Sequence, residues 1–517
     1  MPRYPALAFA ALLLGDSLLC HAGVVAPRQD SADVAAFKDL DSTYNTLQSA
    51  YFDGTTWVVP LQWQQAVTGT LVDASLESYT AALQKYGGIP TTSSTLSVDD
   101  GKAFIEKQYG DVLTYYNSGE QVEQIYNDAY DDVQWVILEW LEAIKFVNKY
   151  NAYSGGAFSS TQDIAAFAHR AHQFYDRVSD KFDTSLCDGG LTWNPTLATY
   201  KNAITNQLFV SASVGMYLYF PGDSNTSPYS STPPAGTNRP DLTPISAQDP
   251  SFLDNAKKEY DWIMSHNFTN AQGLYTDGFH ISDGQTSCDQ RDEAVYTYNQ
   301  GVILSGMRGL WEATGDTSYL ADGYNLINTV ISATGNNAGN SDFAGLGRSG
   351  IMEDICDADA SCSQDSQSFK GIYFHHLTLF CESLPTDTAL VPGVTFTADA
   401  ATAATHKSNC QDYAPWVAKN AAAALSTRNG TGIFGGWWGE NQSAAAGIGG
   451  AAAAQPAGAQ DYRNHPEILT QAPWVKEGGG QVRMARRDIN DGGLGRTEET
   501  QLSGLGVVRA NWEFLQI

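Results

Sequence analysis

An all-α protein whose consecutive helices pair into a ring of hairpins is the fold that these 517 residues predict. Three observations predict it. Apolar residues recur at helical spacing through about twelve stretches. No stretch of comparable length alternates as a strand does. The composition is globular, with 43% hydrophobic and 17% charged residues, so there is enough apolar surface to bury.

The stretches fall near residues 33–50, 57–86, 100–117, 120–150, 161–182 and 196–219, then 250–266, 292–313, 317–333, 368–383, 411–427 and 497–514. In the fourth, Val133, Val136, Ile137, Trp140, Leu141, Ile144 and Val147 share one helical face. Twelve helices in succession suit hairpins closing on themselves, with ligand sites at one mouth where the loops gather. Two loops stand out by composition: residues 221–249, rich in Pro, Ser and Thr, and the Ala/Gly stretch 443–460. Helical pattern resumes after both, so residues 36–517 are read as a single domain carrying two insertions.

The N-terminus reads as export machinery. Arg3, an apolar run from Tyr4 to Leu19 and the small residues around Ala22 predict a signal peptide over residues 1–22, with a short pro-segment over 23–35. The run is too short for a membrane anchor and Asp16 interrupts it. Without Cys20, six cysteines remain (Cys187, Cys288, Cys356, Cys362, Cys381, Cys410), an even number that suits three disulfides. Of the 15 possible pairings, only Cys356–Cys362, close in sequence, is suggested. Sequons at Asn225, Asn267, Asn429 and Asn441 agree with a glycosylating route. The closing RANWEFLQI has no long apolar tail of the kind a lipid anchor requires. A secreted or cell-wall-associated monomer is expected, with no integral membrane span once the signal is removed.

Charge narrows the partners. Fifty-seven acidic residues against 29 basic ones give a net charge of −28. Nucleic acid and anionic membranes need clustered Lys and Arg, so neither is a partner. HExxH, Walker A and GxSxG motifs are missing. Gly345-Leu346-Gly347-Arg348-Ser349-Gly350 matches GxGxxG, but no strand precedes it and a glycine-rich turn explains it. His169-x-x-His172 lacks a third metal ligand, and Asp354, Asp357 and Asp359 lack the order of a calcium loop. No metal or cofactor is expected.

Asp131 and Asp132 open the fourth helix, where the bland explanation is capping of free N–H groups. Asp99-Asp100, ahead of Phe104, serves that purpose. The pair at 131/132 has a second use. A retaining glycosidase needs a nucleophilic carboxylate and an acid/base carboxyl about 5–5.5 Å apart. Neighbours at a helix start reach that separation if both face one cavity. The better hydrogen-bonded member then stays ionised and raises the pKa of the other. Spacing alone does not say which is which.

Ordered blocks give this pair its meaning. Tyr130-Asp131-Asp132 before a Trp-bearing helix resembles the catalytic segment of glycoside hydrolase family 76 mannanases. Gly189-Gly190-Leu191-Thr192-Trp193-Asn194 with Tyr200-Lys201-Asn202-Ala203 is similar to a second block of that family. Gly273-Leu274-Tyr275-Thr276-Asp277-Gly278, Thr297-Tyr298-Asn299-Gln300-Gly301, Phe369-Lys370-Gly371-Ile372-Tyr373 and Arg496-Thr497-Glu498-Glu499-Thr500-Gln501 follow in the family's order. The resemblance spans roughly residues 36–515. It implies an (α/α)6 barrel of fungal type that hydrolyses internal α-1,6-mannosidic bonds with retention, acting on mannan or mannoprotein. By position, Asp131 would be the nucleophile and Asp132 the general acid/base.

The other blocks supply candidate sugar readers, since rings cover pyranose faces while amides and carboxylates bind hydroxyls. Trp135, Trp193, Tyr298 and Tyr373 are candidate platforms; Asn202, Asp277, Asn299 and Lys370 are candidate hydroxyl partners. Trp437-Trp438 lines the cleft or caps the core. His375-His376 departs from the single basic position expected there and puts one outer subsite in doubt. Two rival readings remain: a cell-wall mannan transglycosylase using the same aspartates, and a non-catalytic carbohydrate-binding wall protein.

Overall fold

The computed structural model describes residues 30–59, 62–118, 129–158, 161–225, 242–336, 343–357, 362–439 and 496–517. The expected signal peptide, most of the 221–249 insertion, the 443–460 stretch, Asp359 and Asn441 lie outside the described residues. The described residues form twelve α-helices: α1 (Ala32–Tyr51), α2 (Gln62–Tyr86), α3 (Val98–Ser118), α4 (Tyr130–Ser154), α5 (Thr161–Tyr175), α6 (Ala203–Tyr219), α7 (Pro250–Ser265), α8 (Tyr298–Thr314), α9 (Ser318–Ala333), α10 (Phe369–Cys381), α11 (Ala400–Ser426) and α12 (Glu498–Phe514).

The even-numbered helices form an inner ring. Each packs on the next in the order α2, α4, α6, α8, α10, α12, and α12 returns to α2. The odd-numbered helices pack outside them, which makes the molecule an (α/α)6 barrel. Sequence sorts the two layers. In α6, Ala203–Ser213 is buried without interruption, as befits a helix enclosed on every side. In α7, Phe252, Ala256, Tyr260 and Ile263 recur at three- and four-residue spacing and bury a single stripe.

Starts and stops are written locally. Asp249 accepts from Ser251 N with Pro250 following, Asp399 accepts from Thr402 N, and Thr497 with Thr500 closes a reciprocal capping box. Gly155 and Gly315, both with positive φ, end α4 and α8. Where inner helices touch, glycine lets backbones approach: a Cβ on Gly371 would stand 2.5 Å from Ser503 Cα.

Several expected helices have different bounds: α5 stops at Tyr175 rather than near 182, and α8 starts at Tyr298 rather than near 292, with residue 292 in a strand. Residues 200–202 form a strand rather than the start of α6, because Asn202 is extended and caps that helix. Helix α11 begins at Ala400, not near 411; its Ala/Thr-rich first half lacks an apolar stripe, and it continues through Pro415. All three disulfides are formed, Cys187–Cys288, Cys356–Cys362 and Cys381–Cys410.

The inner helices run parallel, so their N-termini meet at one pole. Trp63 stacks on Trp135, Gln134 donates to Thr205 O (3.0 Å), Tyr298 stacks on Phe369, Gly371 N donates to Ser503 Oγ (3.1 Å), and Thr68 donates to Glu498 (2.8 Å). Connections into the inner helices, such as 176–202 and 266–297, are long and gather at this pole. A three-stranded antiparallel sheet rises there from Tyr200–Asn202, Gly278–His280 and Gln290–Asp292.

Candidate active site

Asp131 and Asp132 occupy the first turn of α4, whose start is held by Tyr130 N donating to Trp193 O (2.8 Å). Neither serves as the N-cap, since that position is Ala129, which has no side-chain cap. Both carboxylates are half-buried. Asp131 Oδ1 accepts from Asp132 N (3.1 Å), and the Trp193 indole donates to the same carboxylate. Burial pushes Asp131 up to about 7 against the pull of these hydrogen bonds, with the negative charge of Asp277 adding to the rise. Burial raises Asp132 further, to about 9, reinforced by the charges of Asp131 and Asp365, and among the described residues no hydrogen bond offsets it. The two titrate as a pair in which Asp132 keeps its proton longer.

More carboxylates close around them. Asp365 lies in a 3-10 turn (Asp365–Ser368) leading into α10 and is itself raised by burial. Glu499, in the first turn of α12, accepts from Gln364 (2.8 Å) and is pushed up to about 7 by burial. Asp277 is tied to two inner helices: its carbonyl accepts from Ala203 N at the head of α6 (2.7 Å), and its Oδ1 accepts from Asn299 in α8 (3.0 Å). Its Oδ2 accepts from the Tyr200 hydroxyl (2.5 Å). Such a group, half-buried beside Asp131, can both accept from a sugar hydroxyl and set the charge around the pair.

Several expected sugar readers stand together, Trp193, Asp277 and Tyr298, with Asn299 fully buried behind them and its amide donating to Asp277. Tyr298 lies flat on Phe369, centroids 3.7 Å apart, and is close enough to feel Asp131. Four others are placed differently. Trp135 is only 4% exposed and packs on Trp63 as part of the floor. Asn202 is turned to its capping task, its Oδ1 accepting from Thr205 N. Lys370 is fully buried and its ammonium binds both oxygens of Asp357 (2.9 and 2.7 Å), so it offers no donor to a hydroxyl. Tyr373 is enclosed where α8 and α10 meet, with Gly301 against its backbone. Trp438 packs in the core against Phe374.

His375 and His376 sit well inside α10, both buried, and belong to no outer subsite. His169 and His172 both direct Nδ1 at Asp223 Oδ2 (2.9 Å each), which fixes the chain leaving α6. Asp354 holds Thr297 at the head of α8, while Asp357 serves Lys370. The GxGxxG stretch is a glycine-rich hairpin, Gly347–Arg348 pairing with Ile351–Met352. Among the described residues no group of His, Cys, Asp and Glu is arranged to hold a metal, and no helix is long and apolar enough to cross a membrane.

Sequence reasoning missed four residues at this pole: Trp63, Tyr200, Asp365 and Glu499. Tyr200 and Glu499 lie inside motif blocks and could have been found there. Trp63 and Asp365 carried no signal, because only the closed ring brings them near the pair.

The chain's residues 29–231 and 242–457 match the family model for glycosyl hydrolase family 76. A "putative mannan endo-1,6-alpha-mannosidase" of Schizosaccharomyces pombe is 22% identical over 246 residues, 46% of each protein. The mannan endo-1,6-alpha-mannosidase DFG5 of Saccharomyces cerevisiae is 24% identical over 216 residues, 40% of this chain and 37% of that one. The alignments thus span less than half of these curated relatives. Among solved structures, Dfg5 from Chaetomium thermophilum in complex with glucosamine superposes with a TM-score of 0.56 at 14% identity, covering 94% of this chain and 92% of that one. The GH76A alpha-1,6-mannanase from Salegentibacter sp. HEL1_6 gives 0.51 at 15% identity, over 92% and 98%. At such identity the likeness is one of fold.

Proposed function

Because the chain belongs to glycoside hydrolase family 76, we propose that it is a secreted, retaining glycosidase that cleaves internal α-1,6-mannosidic bonds of mannan, with Asp131 as nucleophile and Asp132 as general acid/base. One observation carries the division of labour. Asp131 receives the Trp193 indole and a backbone N–H, whereas among the described residues Asp132 has only burial and neighbouring negative charge acting on it. The first environment favours a carboxylate and the second a carboxylic acid.

The cycle follows from that asymmetry. Asp132 protonates the glycosidic oxygen as the C1–O bond breaks, and the Asp131 carboxylate bonds to C1. Water then attacks C1 from the side the leaving group vacated, giving its proton to Asp132 and releasing Asp131. Two displacements at one carbon restore its configuration. Asp277, braced by Tyr200 and Asn299, is placed to take a hydroxyl of the reacting sugar. The expected signal peptide and the three disulfides support an exported protein.

The test is incubation with unbranched α-1,6-mannan, following product size and anomeric form by NMR. Internal cleavage gives a spread of short products whose first-formed anomer is α. Inert mannan, or first-formed β anomer, overturns the reading. Products longer than an added acceptor oligosaccharide would mark transfer to a sugar in place of water.

A further inference from the structure

We propose that His280, stacked on Tyr200, is an outer sugar platform that binds a hexopyranose unit of the substrate one position away from the reacting sugar. The inference rests on the glycosidase reading and adds a specificity-determining residue to it. In the sheet at the mouth, Tyr200 faces His280 across the strands and Asn202 faces Gly278. Strand alternation puts Tyr200 and His280 on one face and Lys201 and Phe279 on the other. The second face is buried: Lys201 is fully enclosed and its ammonium is held by the carbonyls of Asp183, Leu186, Gly189 and Gly190. The first face therefore looks outward over the mouth.

On that face the imidazole lies flat on the Tyr200 ring, centroids 4.1 Å apart at 15°. Tyr200 is half-buried and its hydroxyl is fixed on Asp277, so the lower ring is immobilised. His280 is exposed and makes no hydrogen bond among the described residues, which leaves its outer face and ring nitrogens available to a ligand. Strand 200–202 runs directly into α6, so His280 stands two residues, about 7 Å, above the Asn202–Gly278 level. That is about one hexose unit farther from the barrel. A pre-oriented ring with a polar edge suits a pyranose, whose C–H face stacks while its hydroxyls meet the nitrogens.

The experiment compares wild type, His280→Ala and His280→Phe on α-1,6-mannooligosaccharides of increasing length. Wild type gains kcat/KM, chiefly through KM, at the length that reaches the platform. His280→Ala loses about three- to tenfold of that gain, as expected for one aromatic contact, and His280→Phe recovers most of it. An unchanged length dependence in His280→Ala overturns the proposal, as does an equal loss at every length. Calorimetric titration of the same oligosaccharides into Asp132→Asn, with and without His280→Ala, separates the two readings. If wild type cleaves none of them, the glycosidase reading fails, and the titration alone decides whether His280 adds affinity for the longer chains.

Discussion

The two poles of the barrel handle buried charge in opposite ways. At the pole where the inner helices end, cations meet anions: Lys145 with Glu142 (2.9 Å), Lys149 with Glu77 (3.1 Å), Arg308 with Glu312 (3.7 Å) and Arg509 with Glu513 (3.9 Å). At the pole where they begin, Asp131, Asp132, Asp277 and Asp365 form no salt bridge among the described residues. The buried lysines near there are already engaged, Lys370 by Asp357 and Lys201 by backbone carbonyls. The helix dipoles offset part of this repulsion, since all six inner N-termini point at the cluster. The contrast separates charge that holds the barrel from charge left unneutralised, which is what the proposed chemistry uses. Burial raises all four carboxyls, Asp131 to about 7 and Asp132 to about 9, and raised carboxyls are what acid/base work requires.

The largest effect expected from this contrast is on turnover. Asp131→Asn and Asp132→Asn should each lower kcat on α-1,6-mannan by at least about 10³-fold, while thermal melting stays at or above wild type. Comparable activity in either variant would remove the assignment of the pair. The far pole should answer in reverse. Lys145→Met leaves Glu142 buried without its partner and should cost about 3 kcal/mol of stability in denaturant titrations, with kcat per folded molecule little changed. If that variant instead lost activity without losing stability, the division between the poles would be wrong.

Titration gives the next effect. A carboxyl raised in the folded state binds more protons there than in the unfolded chain, so its contribution to stability is greatest below the ordinary carboxylate value, near 4. That contribution falls as pH climbs toward the folded values of about 7 for Asp131 and about 9 for Asp132. Glu77, lowered by Lys149 and Lys145 despite its burial, behaves oppositely: its stabilisation is present at neutral pH and is lost on acidification. Melting temperatures between pH 4 and 8 should therefore show Asp132→Asn gaining on wild type as pH rises, by about a few degrees. A gap constant across that range would mean that Asp132 is not held protonated by the fold.

How much of this was legible beforehand depends on whether a residue's neighbours come from its own segment. The helices were readable because the stripes of α4 and α7 repeat locally, and the (α/α)6 arrangement followed from ordered motif blocks. Asp131, Asp132, Trp193, Asp277 and Asn299, which the structure brings to one pole, lie within those blocks. Trp135, Lys370 and Tyr373 share the same blocks, yet they face inward against Trp63, Asp357 and α8, and a motif does not reveal which way a helix turns its faces. Asp365 was invisible for the converse reason: its influence on Asp132 crosses from the turn before α10 to the head of α4.

The smallest effect isolates the residue that makes the pair unequal. Among the described residues, Trp193 is the side chain whose hydrogen bond pulls Asp131 down against burial. Trp193→Phe keeps an aromatic ring and removes only the indole donor, so the Asp131 pKa should rise. Activity needs Asp131 ionised and Asp132 protonated, so the acid limb of the kcat/KM profile should move to higher pH, by about one unit or less for a single hydrogen bond. The alkaline limb, set by Asp132, should stay in place or rise slightly as its neighbour holds its proton longer. A shift of the acid limb toward lower pH would show that Trp193 does not support the carboxylate form, and the assignment of nucleophile and acid would have to be exchanged.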